Sequence, residues 1–279
     1  MKIIHILTST IIGFTSACTV LAECKSPYAI EEYDIAFKEC HSLAEMGDAT
    51  AQEYVGIMYS DGLGVKKDEK QAINWFHKAA YQNNASAQKH LGEIYNIGRG
   101  VPRNEAKATF WFQRSADLGN AGAQYSIGSR YEFGYGGLRK NYTSAAEYYK
   151  KSAEQGDERA QYSLGKFYSQ GLGVPQNNTQ ALMYYRLSSR ETNWGKFEIA
   201  NIYEQGVGVK QDYVLAYAIY IVSTSYNAVS NEELATRENL KNKMTKKQIL
   251  ESNNLAEKLS VIEDFSMVLD NYLNLVSNK

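Results

Sequence analysis

Residues 55–68, VGIMYSDGLGVKKD, decide the fold because they return along the chain. LGEIYNIGRGVPRN (91–104) follows 36 residues on, and IGSRYEFGYGGLRKN (127–141) another 36 on, with one extra loop residue. LGKFYSQGLGVPQN (164–177) comes after 37 and IANIYEQGVGVKQD (199–212) after 35. Taken alone, the glycines of Ser60-Asp61-Gly62-Leu63-Gly64-Val65 look like a phosphate-cradling loop. Such a loop joins a strand to a helix. Here a helix precedes it and the motif recurs five times. The glycines therefore read as a turn: the first closes one helix in a left-handed conformation, and the second leads into the next.

Each copy reads as two helices. The first carries Ala51-Gln52, Ala87-Gln88, Ala123-Gln124 or Ala160-Gln161 ahead of an aliphatic residue. Positions 51, 52, 55, 56 and 59 share one face at helical spacing. Gly56, Gly92, Gly128 and Gly165, with Ala200 in the fifth copy, are costly inside a helix, so small size in register implies close approach of a neighbour. The second helix alternates small and aromatic residues: Ala72, Trp75-Phe76, Ala79; Ala108, Trp111-Phe112, Ser115; then Ala145, Tyr148-Tyr149, Ser152 and two further sets. These positions absorb much of the unusual count of 22 Tyr. One helix pair cannot bury its apolar face alone, whereas stacked pairs can. The expected fold class is all-α, a right-handed α/α superhelix (solenoid) of helix–turn–helix repeats.

The pattern A-x-A-Q-x-x-[LIV]-G-x-x-Y-x-x-G-x-G-V, a polar loop, then A-x-x-[WY]-[FY]-x-x-[AS], resembles the Sel1-like repeat family, a relative of the tetratricopeptide repeat. The resemblance covers residues 49–227. It implies a binding scaffold, as in eukaryotic quality-control adaptors and secreted or periplasmic interaction proteins of bacteria. Some bacterial members resemble immunity proteins against secreted toxins. A cysteine-rich subgroup associated with penicillin binding pairs cysteines within every repeat, and this chain has no such pairs.

The ends differ from the array. Residues 1–22 read as a signal peptide: Lys2, an apolar run from Ile3 to Phe14, and Val20-Leu21-Ala22 for cleavage after Ala22. The run is short and interrupted for a transmembrane helix. The expectation is export to the periplasm, the alternative being a lipoprotein acylated at Cys18 within Thr15-Ser16-Ala17-Cys18. Cleavage at Ala22 leaves Cys24 and Cys40, an even pair that in an oxidising compartment suggests one disulfide; two unpaired thiols are the alternative. A turn after Cys24 would bring the two together, and a straight helix from Ser26 would not. Residues 23–48 read as a cap and half-repeat, with a helix over 29–46. Residues 228–279 read as capping helices: Ser230-Asn231-Glu232-Glu233 is a capping-box pattern, and residues 261, 262, 265, 268, 269, 272 and 273 form one apolar stripe. That stripe either closes the array or docks a partner or a second protomer.

The formal charge of −1 gives no basic footprint for nucleic acid. Ser86-Ala87-Gln88-Lys89 and Ser163-Leu164-Gly165-Lys166 match a nucleophile–base spacing, but they fall at different repeat registers and lack a Lys-Thr-Gly element. His41, His77 and His90 lack recognisable metal spacing. The expectation is a non-enzyme with no cofactor and no metal. The opposite face of the first helix holds positions 53, 54, 57, 60 and 61. In solenoids of this kind first helices line the concave surface, and types vary on this face while the framework stays fixed. Position 53 reads Glu53, Lys89, Tyr125 and Tyr162; position 57 reads Ile57, Glu93, Ser129, Lys166 and Asn201; position 61 reads Asp61, Ile97, Phe133 and Gln170. Tyr and Phe supply contact area at low entropic cost, although Tyr125 and Tyr162 read equally as braces for the next repeat. These residues are the expected partner-binding set. The expected function is an exported scaffold for a protein or peptide partner. The alternatives are an inhibitor of a toxin effector, or a weak β-lactam hydrolase or peptidoglycan-associated factor.

Overall fold

The computed structural model describes residues 33–189, 195–225, 230–261 and 265–277. The expected signal segment, Cys18 and Cys24 lie outside the described residues, as does the start of the expected helix over 29–46. Among the described residues there are fourteen α-helices and no strand. The chain divides into two compact units, residues 1–140 and 141–279, a division the repeat spacing does not announce.

Unit 1 runs α1 (Tyr33–Glu45), α2 (Ala49–Asp61), α3 (Glu69–Tyr81), α4 (Ala85–Ile97), α5 (Glu105–Asp117) and α6 (Ala121–Phe133). Unit 2 runs α7 (Tyr142–Ala153), α8 (Glu158–Gln170), α9 (Asn178–Leu187), α10 (Lys196–Gln205) and α11 (Tyr213–Ser223). It ends with α12 (Asn231–Asn242), α13 (Lys246–Val261) and α14 (Phe265–Ser277).

The helix starts are set by short polar side chains. Asp48 accepts from the Ala51 N–H at 2.7 Å and Asn84 from the Ala87 N–H at 2.8 Å. Second helices begin at Asp68, Asn104, Asn141, Asn177 and Asp212, each accepting a backbone N–H of its first turn. Loss of one such cap typically costs about 1 kcal/mol. Gly62 ends α2 at φ 78°, its N–H bonded to the Met58 carbonyl, a left-handed geometry that a side chain resists.

The small residue inside each first helix has its packing reason. A Cβ on Gly92 would stand 2.6 Å from Phe112, and one on Gly56 2.7 Å from Phe76. The second-helix aromatic of the same repeat thus lies flat against bare backbone. The Gln of the Ala-Gln pair has a separate task. Gln52 and Gln88 are buried and donate to the carbonyls of Ala44 and Ala80 at 3.0 and 2.9 Å. Gln124 and Gln161 do the same to Ala116 and Ala153. Each clasps the last turn of the preceding repeat's second helix, whose terminal carbonyls lack helical partners.

Two face assignments differ from the sequence reading. Ser60, placed on the open face, is 7% exposed; its hydroxyl accepts from Arg99 Nη1 at 3.3 Å. Position 58, assigned to neither face, is buried throughout as Met58, Ile94, Arg130, Phe167 and Ile202. In the N-terminal half-repeat, Ala36, Cys40 and Ala44 pack on Val55, Met58 and Trp75. Cys40 is 1% exposed and disulfide-bonded.

The C-terminal helices complete the core of unit 2. Ser230 and Glu233 form the expected reciprocal capping box on α12. Phe265, Val268 and Leu269 of the apolar stripe are buried with Leu255, Leu259 and the apolar residues of α11. Helix α11 is therefore covered all round, which is why, alone among the described helices, it carries an almost continuous apolar sequence.

Candidate functional site

The thirteen expected partner-binding residues fall into three classes by position. Position 53 is half-buried and reaches the next repeat. Glu53 accepts from Asn84 Nδ2 at 2.8 Å, and the Tyr162 hydroxyl donates to Glu198 Oε1 at 3.3 Å. Lys89 pairs with Glu93 at 3.3 Å, and Tyr125 is half-buried. Much of this position is occupied in bracing. At position 57, Glu93 is exposed while Ile57, Ser129, Lys166 and Asn201 are half-buried. At position 61 all are exposed: Asp61, Ile97, Phe133 and Gln170. Ile97 is 58% and Phe133 54% exposed, unusual for large apolar side chains.

In unit 1 two of these positions converge. Ile57 and Asp61 of α2 and Glu93 and Ile97 of α4 line a cavity of about 190 Å³. Phe76 and His90 also line it, their rings stacked at 4.9 Å, and Arg99 stands at its edge over Ser60. Cofactor pockets run to about 300–1,000 Å³, so this volume suits one side chain of a partner. Burial pushes the Glu93 carboxyl upward, but His90 at 3.4 Å and Lys89 hold it below its usual value. It therefore stays ionised at neutral pH.

In unit 2 the corresponding face is a hydrogen-bonded network. The Tyr220 hydroxyl lies 2.9 Å from Glu204 Oε2 and within reach of Asn201 Oδ1, either of which accepts its one proton; Asn201 donates to Glu198 at 3.2 Å, and Lys243 closes on Glu204 at 3.2 Å. Burial raises the Tyr220 and Tyr162 phenols, with Glu204 and Glu198 adding to the effect. Both remain neutral donors. The roles of Glu198, Glu204 and Arg99 were missed in the sequence, because each acts through a residue one helix away.

In the Ser86-x-x-Lys89 string, Lys89 pairs with Glu93 at 3.3 Å. Among the described residues no group of three or more His, Cys, Asp and Glu lies close enough to hold a metal. No described helix is long and apolar enough to cross a membrane.

Helix pairs in register, caps that recur and a face of exposed, unlike residues define an all-α repeat protein of the solenoid class. The Sel1 repeat family model matches residues 49–84, 85–120, 121–157, 158–193 and 195–221, and the chain belongs to that family. A Sel1 repeat protein from Oxalobacter formigenes is similar at 30% identity and TM-score 0.69, over 78% of this chain and 88% of that one. A protective antigen of uropathogenic Escherichia coli shares the fold at 24% identity and TM-score 0.59, over 92% of this chain and 64% of that one. An immunity protein from Pseudomonas aeruginosa aligns at 18% identity and TM-score 0.47, over 88% and 84%. A search of the curated proteins found no match. Sel1 repeat proteins typically mediate protein–protein interaction, and the scaffold is generally non-catalytic.

Proposed function

We propose that the protein is an exported interaction scaffold whose first helices bind a protein or extended peptide. One observation carries this reading. Position 61 and its equivalents (Asp61, Ile97, Phe133, Gln170 and Gln205) are exposed in every repeat and range from acidic to aromatic, while positions 51, 55 and 56 of the same helix are buried and keep a small or aliphatic residue in every copy. Export rests on the signal-like composition of residues 1–22. The cavity between α2 and α4 supports the same face, being sized for a partner's side chain.

The test is capture of partners by the chain from Glu23 onward, compared with Glu93→Lys and Lys166→Glu. Both substitutions reverse a charge without touching a buried framework position. The expected outcome is at least one partner lost on reversal and retained by a Lys247→Glu control on α13. If every partner stays bound to both variants, the first-helix reading fails. If the captured partner is a toxic enzyme that the chain silences, the inhibitor reading replaces the general one.

A further inference from the structure

In unit 2 the chain lays an amphipathic helix on its own second helices. Asp270 of α14 accepts from Arg186 Nη2 of α9 at 2.6 Å. Tyr272 donates its hydroxyl to Asp212, the cap of α11, at 2.9 Å. Phe265 and Leu269 are buried in the core that holds Tyr203 and Leu215. By repeat register, Arg186, Tyr203 and Asp212 correspond to His77, Tyr95 and Asn104 of unit 1. The surface that α14 bridges, from α9 to α11, thus has a counterpart across α3 and α5.

That counterpart is open and aromatic. Tyr81 is 69% and Phe110 53% exposed, and both rings touch Trp111, at 5.9 and 5.1 Å. Arg114 lies 5.8 Å over Trp111 and Lys107 lies 5.2 Å over Tyr95. Arg114 also donates to Asn83 Oδ1 at 3.3 Å, and among the described residues no carboxylate pairs with it or with Lys107. Nδ1 of His77 is buried there without a hydrogen-bond partner among the described residues. Stacked cations beside exposed rings are complementary to a carboxylate flanked by apolar side chains, which is the chemistry α14 presents to Arg186.

We propose that the surface across α3 and α5 binds an amphipathic helix of a partner protein. That helix sets a carboxylate against Lys107 and Arg114 and apolar side chains against Tyr81 and Phe110. This surface is carried by second helices and is separate from the first-helix face, so the two readings stand or fall independently.

The probe is a fluorescein-labelled peptide of residues 265–277, FSMVLDNYLNLVS, titrated into the full chain from Glu23 onward and followed by anisotropy. Saturable binding is expected, weakened at least tenfold by the Lys107→Glu/Arg114→Glu double variant and similarly by Asp270→Lys in the peptide. The two reversals combined should regain binding. Phe110→Ala, an exposed truncation, should weaken binding at least fivefold with an unchanged melting temperature. Binding that stays within twofold in the double variant overturns the proposal. So does loss of binding on Arg186→Glu alone, which would mean the peptide exchanges with α14. Binding of phosphatidylglycerol vesicles in place of the peptide, through the same cations, would make the surface a membrane contact. A dimer in light scattering that the double variant dissolves would make the occupant a second copy. Either result overturns the partner helix.

Discussion

At the scale of single residues, the framework is held by contacts that leave no spare volume. Gly92 is the clearest case, with the Phe112 ring where its Cβ would be. Gly92→Ala should destabilise the chain by about 1–3 kcal/mol through overpacking, despite the better helix propensity of Ala, and a thermal melt will show it. The sequence made this position legible because the same small residue meets the same aromatic type in copy after copy. Position 58 was hidden for the opposite reason. Met58, Ile94, Arg130, Phe167 and Ile202 share burial but no chemical type. Arg130 disguises the register most, since its guanidinium is buried only by donating to Asn96 at 2.7 Å and lying 5.1 Å over Phe112. Ser60 was misplaced because its face depends on Arg99, a residue of the next repeat's loop.

At the scale of elements, the fifth repeat departs from the other four. Lys196 of α10 stands where they have the clasping Gln, and it is buried with its ammonium 5.3 Å over the Phe265 ring. Burial lowers its pKa below the ordinary 10.5, opposed by Glu158. The unfolded chain therefore binds the Lys196 proton more tightly than the folded one. The cost is fully present at neutral pH and falls as pH rises through the folded pKa towards the unfolded value. Lys196→Gln should melt higher than the parent at pH 7, and the gap should narrow as pH approaches 10. A gap that does not change with pH would show that the charge is not the cause. The elements carrying the candidate site were legible in the same uneven way. Periodicity located the varied face, but not the cavity between α2 and α4, which needs the relative placement of two helices 36 residues apart.

At the scale of the whole molecule, the repeat count, the all-α class and the capping box could be read directly from the sequence. The coverage of α11 by the C-terminal helices could be read only as an apolar stripe with two uses. The N-terminal end gives a further expectation. Cys40 is disulfide-bonded, and on the expectation of cleavage after Ala22 the bridge would run to Cys24. A bridge of that loop length stabilises by about 3 kcal/mol. Cys24→Ser should lower the melting temperature under non-reducing conditions and leave it unchanged under reducing ones, with the intact-mass difference of the bridge lost in the variant. The buried glutamines bear on how such a chain changes length. The first four repeats each carry a hook for the carbonyl of the unit before, so duplication or loss of one such unit leaves that carbonyl clasped at the seam. The array can thus lengthen or shorten in steps of one repeat, and each new junction is clasped as the old one was. The fifth repeat, which lacks the hook, marks where that freedom stops.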